Sequence, residues 1–490
     1  MKLSELISII PHKTEGADIA DVTVIDIAYD SRRAAEGVMF VCLVGETRDG
    51  HLFAADAYGK GCRLFLCQKR LDIEPDAIQI IVDDTRKAMA LLSARFFGNP
   101  ADKLKLIGVT GTKGKTTTVN LIGGVLGSVG LKAGIIGTNG IEYAGILRGT
   151  INTTPESYEL HKTFADMVEH GVEYVAMEVS SIGIMHSRVY GINFDIGVFT
   201  NISPDHIGPK EHDSFEDYLS CKAELFKNCA VGYINGDDPN SLNIIKDAVC
   251  KVHTFGIHTE SGIMAKKIEK WRESDKMGVT FDCDGLSFSL CTPGEFSVYN
   301  ALAAISVCDH FGIPRSETAR GLSCITVPGR MEVITALPDR TFVIDYAHNK
   351  LSLENALTTL KQYNPRRLVC LFGSVGGRSA MRRQELGKVA ASLCDYCILT
   401  SDNPANEDPI KIIEDIKEGF DGYDCDYSII ADREEAVKYA VLNAAPGEVL
   451  LLAGKGHEYY QDIGDQKIPF SEKEIILKTA ESVGGLINFC

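Results

Sequence analysis

No apolar run in this chain reaches the ~20 residues that a membrane-spanning helix needs, and the opening Met-Lys-Leu-Ser-Glu lacks the apolar core of a secretory signal. A cytoplasmic protein without a membrane partner is expected. Basic residues are in deficit as well: 50 Lys and Arg against 67 Asp and Glu give a net charge of −17, which argues against general nucleic-acid binding. A local basic pocket for an anionic substrate remains open. Internal repeats and low-complexity tails are missing too. Cysteine is not scarce, but the 15 residues are read as scattered, buried thiols of a reducing compartment, so neither a zinc site nor a disulfide framework is expected. What is present is the composition of a globular protein, 45% hydrophobic and 24% charged, at a length of 490 residues that exceeds one core and suggests about three domains.

The most informative stretch is LKLIGVTGTKGKTTTVNLIGGVLG at residues 104–127. An apolar run ends at Val109, and Val119, Ile122, Val125 and Val129 then recur at helical spacing, so the glycines fall between a strand and a helix. Such a turn binds phosphate. Gly111, Thr112, Lys113 and Gly114 let several N–H groups and a helix N-terminus converge on one anion. Lys115 adds a cation, and Thr116 and Thr117 add hydroxyls, the first suited to magnesium. The usual first glycine of a nucleotide phosphate loop is replaced by Val109, which leaves a G-x-x-G-K-T core.

Along the chain, residues 1–100 form a first unit that ends in the breaker Phe97-Gly98-Asn99-Pro100. In it, Asp30-Ser31-Arg32 follows a short alternating run, and Asp30 reads as a turn cap. Residues 101–327 alternate strands (105–109, 133–136, 174–179, 196–200, 231–235) with helices, the pattern of a mostly parallel sheet covered on both faces. Ligands gather beyond the carboxyl ends of such strands, where Glu178-Val179-Ser180-Ser181 and the run from Asn201 to Asp205-His206 must lie. Residues 253–293 look like a small antiparallel flap, followed by a helix at 298–311. A second α/β pattern, residues 328–490, has strands at 342–345, 368–372, 396–400 and 449–452, no phosphate loop, and a capping box at Ser471 and Glu474. The expected class is therefore α/β in three domains: a small N-terminal domain, a central one carrying the phosphate loop, and a Rossmann-like C-terminal one.

A phosphate loop, Glu178, His206, and then Arg330, Asp345 and His348 point to an enzyme that uses ATP. Singly, each residue reads as structure: a strand-end charge, a turn histidine, a solvated lysine at 222. In their order along the chain they resemble the Mur ligases, in particular the UDP-N-acetylmuramoyl-tripeptide synthetases (MurE type), over nearly the whole length. The matching stretches are Asp30-Ser31-Arg32, Asp49-Gly50-His51, the phosphate loop, Asn152-Thr153-Thr154-Pro155, Glu178 to Ser181, Asp205-His206 and Lys222. Gly329-Arg330-Met331-Glu332, Asp345-Tyr346-Ala347-His348, Asp402-Asn403-Pro404 and Gly454-Lys455-Gly456-His457-Glu458 follow.

The resemblance implies ATP-dependent amide formation: a carboxylate of UDP-MurNAc-dipeptide attacks the γ-phosphate, and the amine of a diamino acid then displaces phosphate from the acyl phosphate. It implies one magnesium held by Thr116 and Glu178, and a second near His206 and a Lys222 that family members carbamylate. Lys115, Glu178, His206 and Lys222 would be the catalytic set. Asn300 resembles an adenine contact; Arg330, Asp345 and His348 resemble groups brought onto the nucleotide when the third domain closes. Ser31, Asn152, Thr153, Thr154, Ser180 and Arg188 resemble contacts to the uridine-muramoyl substrate, with Arg188 suited to an acidic peptide. A monomer is expected. The chain departs from the family at Ile182, Pro204, Ser297 and Asn349-Lys350, none of them a catalytic group.

Amino-acid choice is expected to rest on Asp402, Asn403, Ala405, Gly454 and Glu458. Members that add meso-diaminopimelate end the Asp-Asn-Pro motif in arginine, a fork that suits the distal carboxylate, whereas Ala405 offers no charge. Asp402, Glu407, Asp408 and Glu458 leave the neighbourhood acidic by count, so L-lysine is the expected substrate, ahead of ornithine or another diamino acid.

Overall fold

The computed structural model describes all residues except Ala20, Glu46, Thr47, His206, Pro209, Lys210 and 485–490. It divides into two compact units, one of Met1–Gly262 with Ser306–Phe311 and one of Ile263–Ile305 with Gly312–Cys490.

The first unit holds two sheets. The N-terminal one contains β1 (Lys13–Glu15), β2 (Asp26–Ala28), β3 (Val38–Val41), β4 (Leu64–Cys67) and β5 (Ile78–Ile81) in the order β1-β5-β4-β3-β2, parallel except for β1. The second contains β6 (Lys105–Thr110), β7 (Ala133–Gly137), β8 (Gly140–Tyr143), β9 (Ile146–Arg148), β10 (Tyr174–Glu178), β11 (Phe194–Phe199), β12 (Cys229–Asn235) and β13 (Lys251–Gly256). Their order is β13-β12-β11-β6-β10-β7-β8-β9, with every pair from β13 to β7 parallel. β6 is central and buried on both faces, which is why Leu106, Ile107 and Val109 form a nearly unbroken apolar run. Its neighbours β10 and β11 come later in the chain, so the connection after β6 opens at the point where strand order reverses, the position at which doubly wound sheets bind ligands. The helix Ser157–Glu169 covers this sheet through Leu160, Phe164 and Met167, while its Tyr158 packs in the N-terminal core and donates to Asp26.

In the second unit β14 (Ile263–Glu273), β15 (Lys276–Cys283) and β16 (Leu286–Leu290) form the expected antiparallel flap. The other sheet has β17 (Glu332–Leu337), β18 (Arg340–Asp345), β19 (Arg367–Phe372), β20 (Tyr396–Leu399), β21 (Asp426–Ile429) and β22 (Glu448–Ala453) in the order β17-β18-β22-β19-β20-β21. Only the β17–β18 pair is antiparallel. A hairpin of β23 (Tyr460–Ile463) and β24 (Gln466–Pro469) precedes the helix Glu472–Ser482, whose Ser471 cap accepts from the Glu474 N–H as expected.

One buried ion pair ties this sheet together. Arg433 donates to Glu472 at 2.9 Å, to the Ser401 carbonyl after β20 at 2.9 Å and to the Ala453 carbonyl ending β22 at 2.8 Å. Burial pushes the Glu472 carboxyl up, opposed by the Arg433 guanidinium. Arg433→Met should therefore strand a buried carboxylate and lower stability by about 3–5 kcal/mol, read as the shift of a urea unfolding midpoint. An unchanged midpoint would show that the pair holds nothing.

Candidate active site

The chain turns out of β6 through Gly111 to Gly114 and enters the helix Lys115–Ser128. Gly114 has φ 84°, and a Cβ at Gly111 would lie 2.0 Å from Thr200 Oγ1, so both positions require glycine. The loop is braced from the end of β11: Thr112 N–H donates to the Asn201 carbonyl (2.8 Å), Lys113 N–H to Asn201 Oδ1 (2.9 Å), and Thr200 Oγ1 to the Lys113 carbonyl (2.7 Å). Thr200 was missed and Asn201 was placed only within the run expected at the strand ends; their signal was a polar pair at a strand's carboxyl end beside the loop.

Two lysines meet on one oxygen. Lys115 Nζ donates to the Gly111 carbonyl at 2.8 Å and to the Thr112 carbonyl at 3.1 Å, while Lys222 Nζ donates to the same Gly111 carbonyl at 2.9 Å. Lys222 is 1% exposed on the helix Phe215–Ala223, which rules out the solvated-residue reading, and it sits 4.3 Å from the Tyr218 ring centroid. Burial, then the neighbouring Lys115 ammonium, pushes its amine well below the usual range. Tyr218, also unforeseen, bonds Thr112 Oγ1 through its hydroxyl at 3.0 Å. A half-buried Lys115 on the phosphate loop places a cation for a polyanion, and the buried Lys222 amine meets it on the same carbonyl.

Glu178 ends β10 directly beside Val109 and is buried; its Oε1 accepts from the Thr138 N–H at 2.7 Å. The Glu178 carboxylate and the Thr116 hydroxyl, both of buried residues, are oxygen donors of the kind magnesium takes, so their chemistry fits that ion. His206 lies outside the described residues.

The Asn152-Thr153-Thr154 stretch lies beside Glu178. Thr154 Oγ1 donates to the Glu178 carbonyl (2.9 Å) and accepts from the Ser180 N–H (3.0 Å), and Thr153 Oγ1 meets Thr138 Oγ1 at 3.0 Å. Ser180 caps the following helix by accepting from the Gly183 N–H. Arg188 donates to Glu156 at 2.8 Å and to the Thr154 carbonyl at 3.1 Å, and Arg86 approaches the same Glu156 carboxylate at 3.5 Å. Asp30 behaves as the expected cap, accepting from the Arg32 N–H at 3.0 Å, and Ser31 begins that short turn.

In the second unit, Asn300 is buried in the helix Glu295–His310. Arg330 stacks on Tyr346, its guanidinium carbon 4.9 Å from the ring centroid; Tyr346 also packs edge-on to His348, at 4.7 Å, and tilted against His457, at 5.0 Å. Asp345 accepts from the Met331 N–H, and His348 Nδ1 lies 2.8 Å from the Tyr346 carbonyl.

Elsewhere in that unit, Lys455 is buried among Asn403 (2.7 Å), Glu458 (2.7 Å) and Asp402 (3.9 Å). Gly454 allows this closeness, since a Cβ there would lie 2.5 Å from Asp402 Oδ2. Ala405, at φ 50°, bridges to the hairpin: its N–H donates to the Asp462 carbonyl and its own carbonyl accepts from Gly464. The acidic surplus expected here is reduced but not removed, since Arg383 is shared by Glu407 and Asp415 and Lys455 by Asp402 and Glu458. Glu407 is clamped by Arg383 at 2.6 Å, Asp408 caps the helix Pro409–Lys417, and Lys455 answers Asp402 and Glu458.

A parallel sheet whose central strand ends in a phosphate loop, with an adjacent strand-end carboxylate, is the site of an enzyme that handles a nucleoside triphosphate. Residues 109–308 match the Mur ligase middle domain, and residues 329–456 match the Mur ligase glutamate ligase domain. The UDP-N-acetylmuramoyl-L-alanyl-D-glutamate--2,6-diaminopimelate ligase of Clostridium perfringens is 40% identical over 93% of this chain and 95% of its own length. The protein of that name from Caldanaerobacter subterraneus is 40% identical over 97% and 98%. A solved structure of a ligase with this name superposes with a TM-score of 0.70 at 27% identity, covering 99% of both chains. The chain belongs to the Mur ligase family and is an ATP-dependent ligase of peptidoglycan precursor synthesis. Its three α/β sheet regions follow the expected class, and among the described residues no helix is long and apolar enough to cross a membrane.

Proposed function

We propose that this enzyme adds a diamino acid to UDP-N-acetylmuramoyl-L-alanyl-D-glutamate in the cytoplasm, as a monomer of three domains bounded near residues 100 and 327. The observation that carries the reading is the meeting of half-buried Lys115 and buried Lys222 on the Gly111 carbonyl of the phosphate loop. A carboxylate attacking the γ-phosphorus must approach a polyanion; the P–O bond to ADP breaks, and the acyl phosphate that forms is then opened by the amine as phosphate leaves. Lys115 stabilises charge on the transferred phosphoryl group, and the loop N–H groups orient the phosphates. Magnesium, where bound, would be held by Thr116 and Glu178 and would neutralise phosphate charge. His206 and a carbamylated Lys222 are proposed for a second ion. Asn300, Arg330, Asp345 and His348 are assigned to the nucleotide, and Ser31, Asn152, Thr153, Thr154 and Ser180 to the UDP-sugar peptide. Arg188, which also holds Glu156, is assigned to the same subsite, where it suits an acidic peptide.

For the incoming amino acid, relatives at 37–40% identity named as 2,6-diaminopimelate ligases support diaminopimelate. A second reading, L-lysine, is favoured by one observation: Ala405 puts no cation where a distal carboxylate would need one. The electrostatic half of that argument is weakened, because the acids around Asp402 are paired internally. Lysine, ornithine and meso-diaminopimelate should be assayed side by side with one UDP-MurNAc-dipeptide preparation. If Ala405 sets the choice, kcat/KM favours lysine by on the order of a hundredfold. Preference for meso-diaminopimelate removes the lysine reading and leaves the ligase intact.

A further inference from the structure

The reading of all cysteines as scattered passes over one spacing: Cys394-Asp395-Tyr396-Cys397 is a C-x-x-C pair. The fold adds to it. Cys394 follows the helix Ala380–Leu393, Cys397 lies in β20, Cys370 lies in β19, and Cys425 immediately precedes β21. All four belong to one buried core, Cys370 is the register partner of Cys397 across β19 and β20, and Cys397 Sγ lies 3.9 Å from Cys425 Sγ. Cys397 is fully buried, while Cys425 is 8% exposed and follows the exposed residues 421–424. The hydrogen bond from Cys397 pulls the Cys425 thiol below its ordinary range, and burial pushes Cys397 well above it. Cys425 is the thiol of the pair nearer to solvent, and Cys397 the enclosed one.

We propose that Cys397 and Cys425 are a peroxide-oxidisable dithiol that closes an intramolecular disulfide at the edge of the C-terminal sheet. Cys425 sulfur attacks one oxygen of hydrogen peroxide: the S–O bond forms, the O–O bond breaks, and the displaced hydroxide takes the thiol proton and leaves as water. Cys397 then loses its proton and attacks Cys425 Sγ. The S–S bond forms, the S–O bond breaks and a second water leaves, so two thiols are oxidised as one peroxide is reduced. The sulfurs must close from 3.9 Å to about 2 Å. β21 can supply that movement, because among the described residues it is an edge strand paired with β20 alone.

The test uses the full-length protein and hydrogen peroxide in small molar excess, followed by denaturing alkylation, digestion and mass spectrometry. The expected product is a peptide pair linking Cys397 to Cys425, lighter by two hydrogens and separated by dithiothreitol. Cys425→Ser should abolish it, and in Cys397→Ser a sulfenic acid should be trapped on Cys425 by dimedone. The exposed Cys324, whose side chain lies beside the Ser323 hydroxyl, serves as the internal control for unassisted oxidation. A Cys394–Cys397 or Cys370–Cys394 link in place of the expected one would overturn the proposal. So would full alkylation of Cys397 and Cys425 while Cys324 is oxidised. The wild-type map decides the matter even if a variant folds poorly.

Discussion

Lys222→Ala is expected to be nearly inactive while remaining folded. The side chain is buried beside Lys115 and shares its carbonyl acceptor, so as an ammonium it would place two positive charges together in a site of low dielectric. Burial already favours the neutral amine, and a neutral amine can add carbon dioxide: its nitrogen bonds the carbon, a proton leaves, and an anionic carbamate faces Lys115. That exchange turns a repulsive pair into an attractive one and creates oxygen ligands for a cation. If so, acetate or formate should partly restore turnover to Lys222→Ala by occupying the vacated volume, and intact-mass analysis of wild type in bicarbonate should show the added carboxyl group. Near wild-type turnover of the variant, or an active enzyme in bicarbonate whose lysine is unmodified, would dismiss the assignment.

Lys115→Ala should lower turnover by on the order of a thousandfold or more. Its Nζ lies over the loop on the Gly111 and Thr112 carbonyls, where it can shift onto a phosphate oxygen without moving the backbone. Charge on the transferred phosphoryl group then loses its closest fixed cation. Stability should hardly change, because Lys115 belongs to none of the apolar cores and begins its helix at a surface-facing turn. Turnover and melting temperature measured on the same preparation separate the two effects; retained turnover would remove the phosphate-loop reading.

The phosphate loop was legible because every part of it is local: strand, glycines, lysine, hydroxyl and helix follow within 24 residues. The alternation of strands and helices was legible for the same reason, since buried parallel strands read as apolar runs. What failed was what depends on distant partners. The acids near Asp402 looked less answered than they are because Arg383 lies far from Glu407 in sequence and Lys455 far from Asp402. The pairing of Arg188 with Glu156 was out of view for the same reason, since it spans 32 residues. Edge strands such as β21, with Asp426 and Tyr427 exposed, carry too little hydrophobic pattern to be read at all. Lys222 could be marked by family resemblance, but only the fold shows it buried, since a lysine on a short helix ordinarily points to solvent.

The central claim is that ATP is spent to join a diamino acid to a UDP-MurNAc-dipeptide, and ADP release measures it most directly. Enzyme, ATP, magnesium and UDP-MurNAc-L-Ala-D-Glu are mixed with lysine or meso-diaminopimelate, and ADP is followed together with the tripeptide product. The account predicts one ADP per amide bond, with formation abolished when either the dipeptide or the amino acid is omitted. ADP release that ignores the dipeptide, or none with any diamino acid, would contradict it.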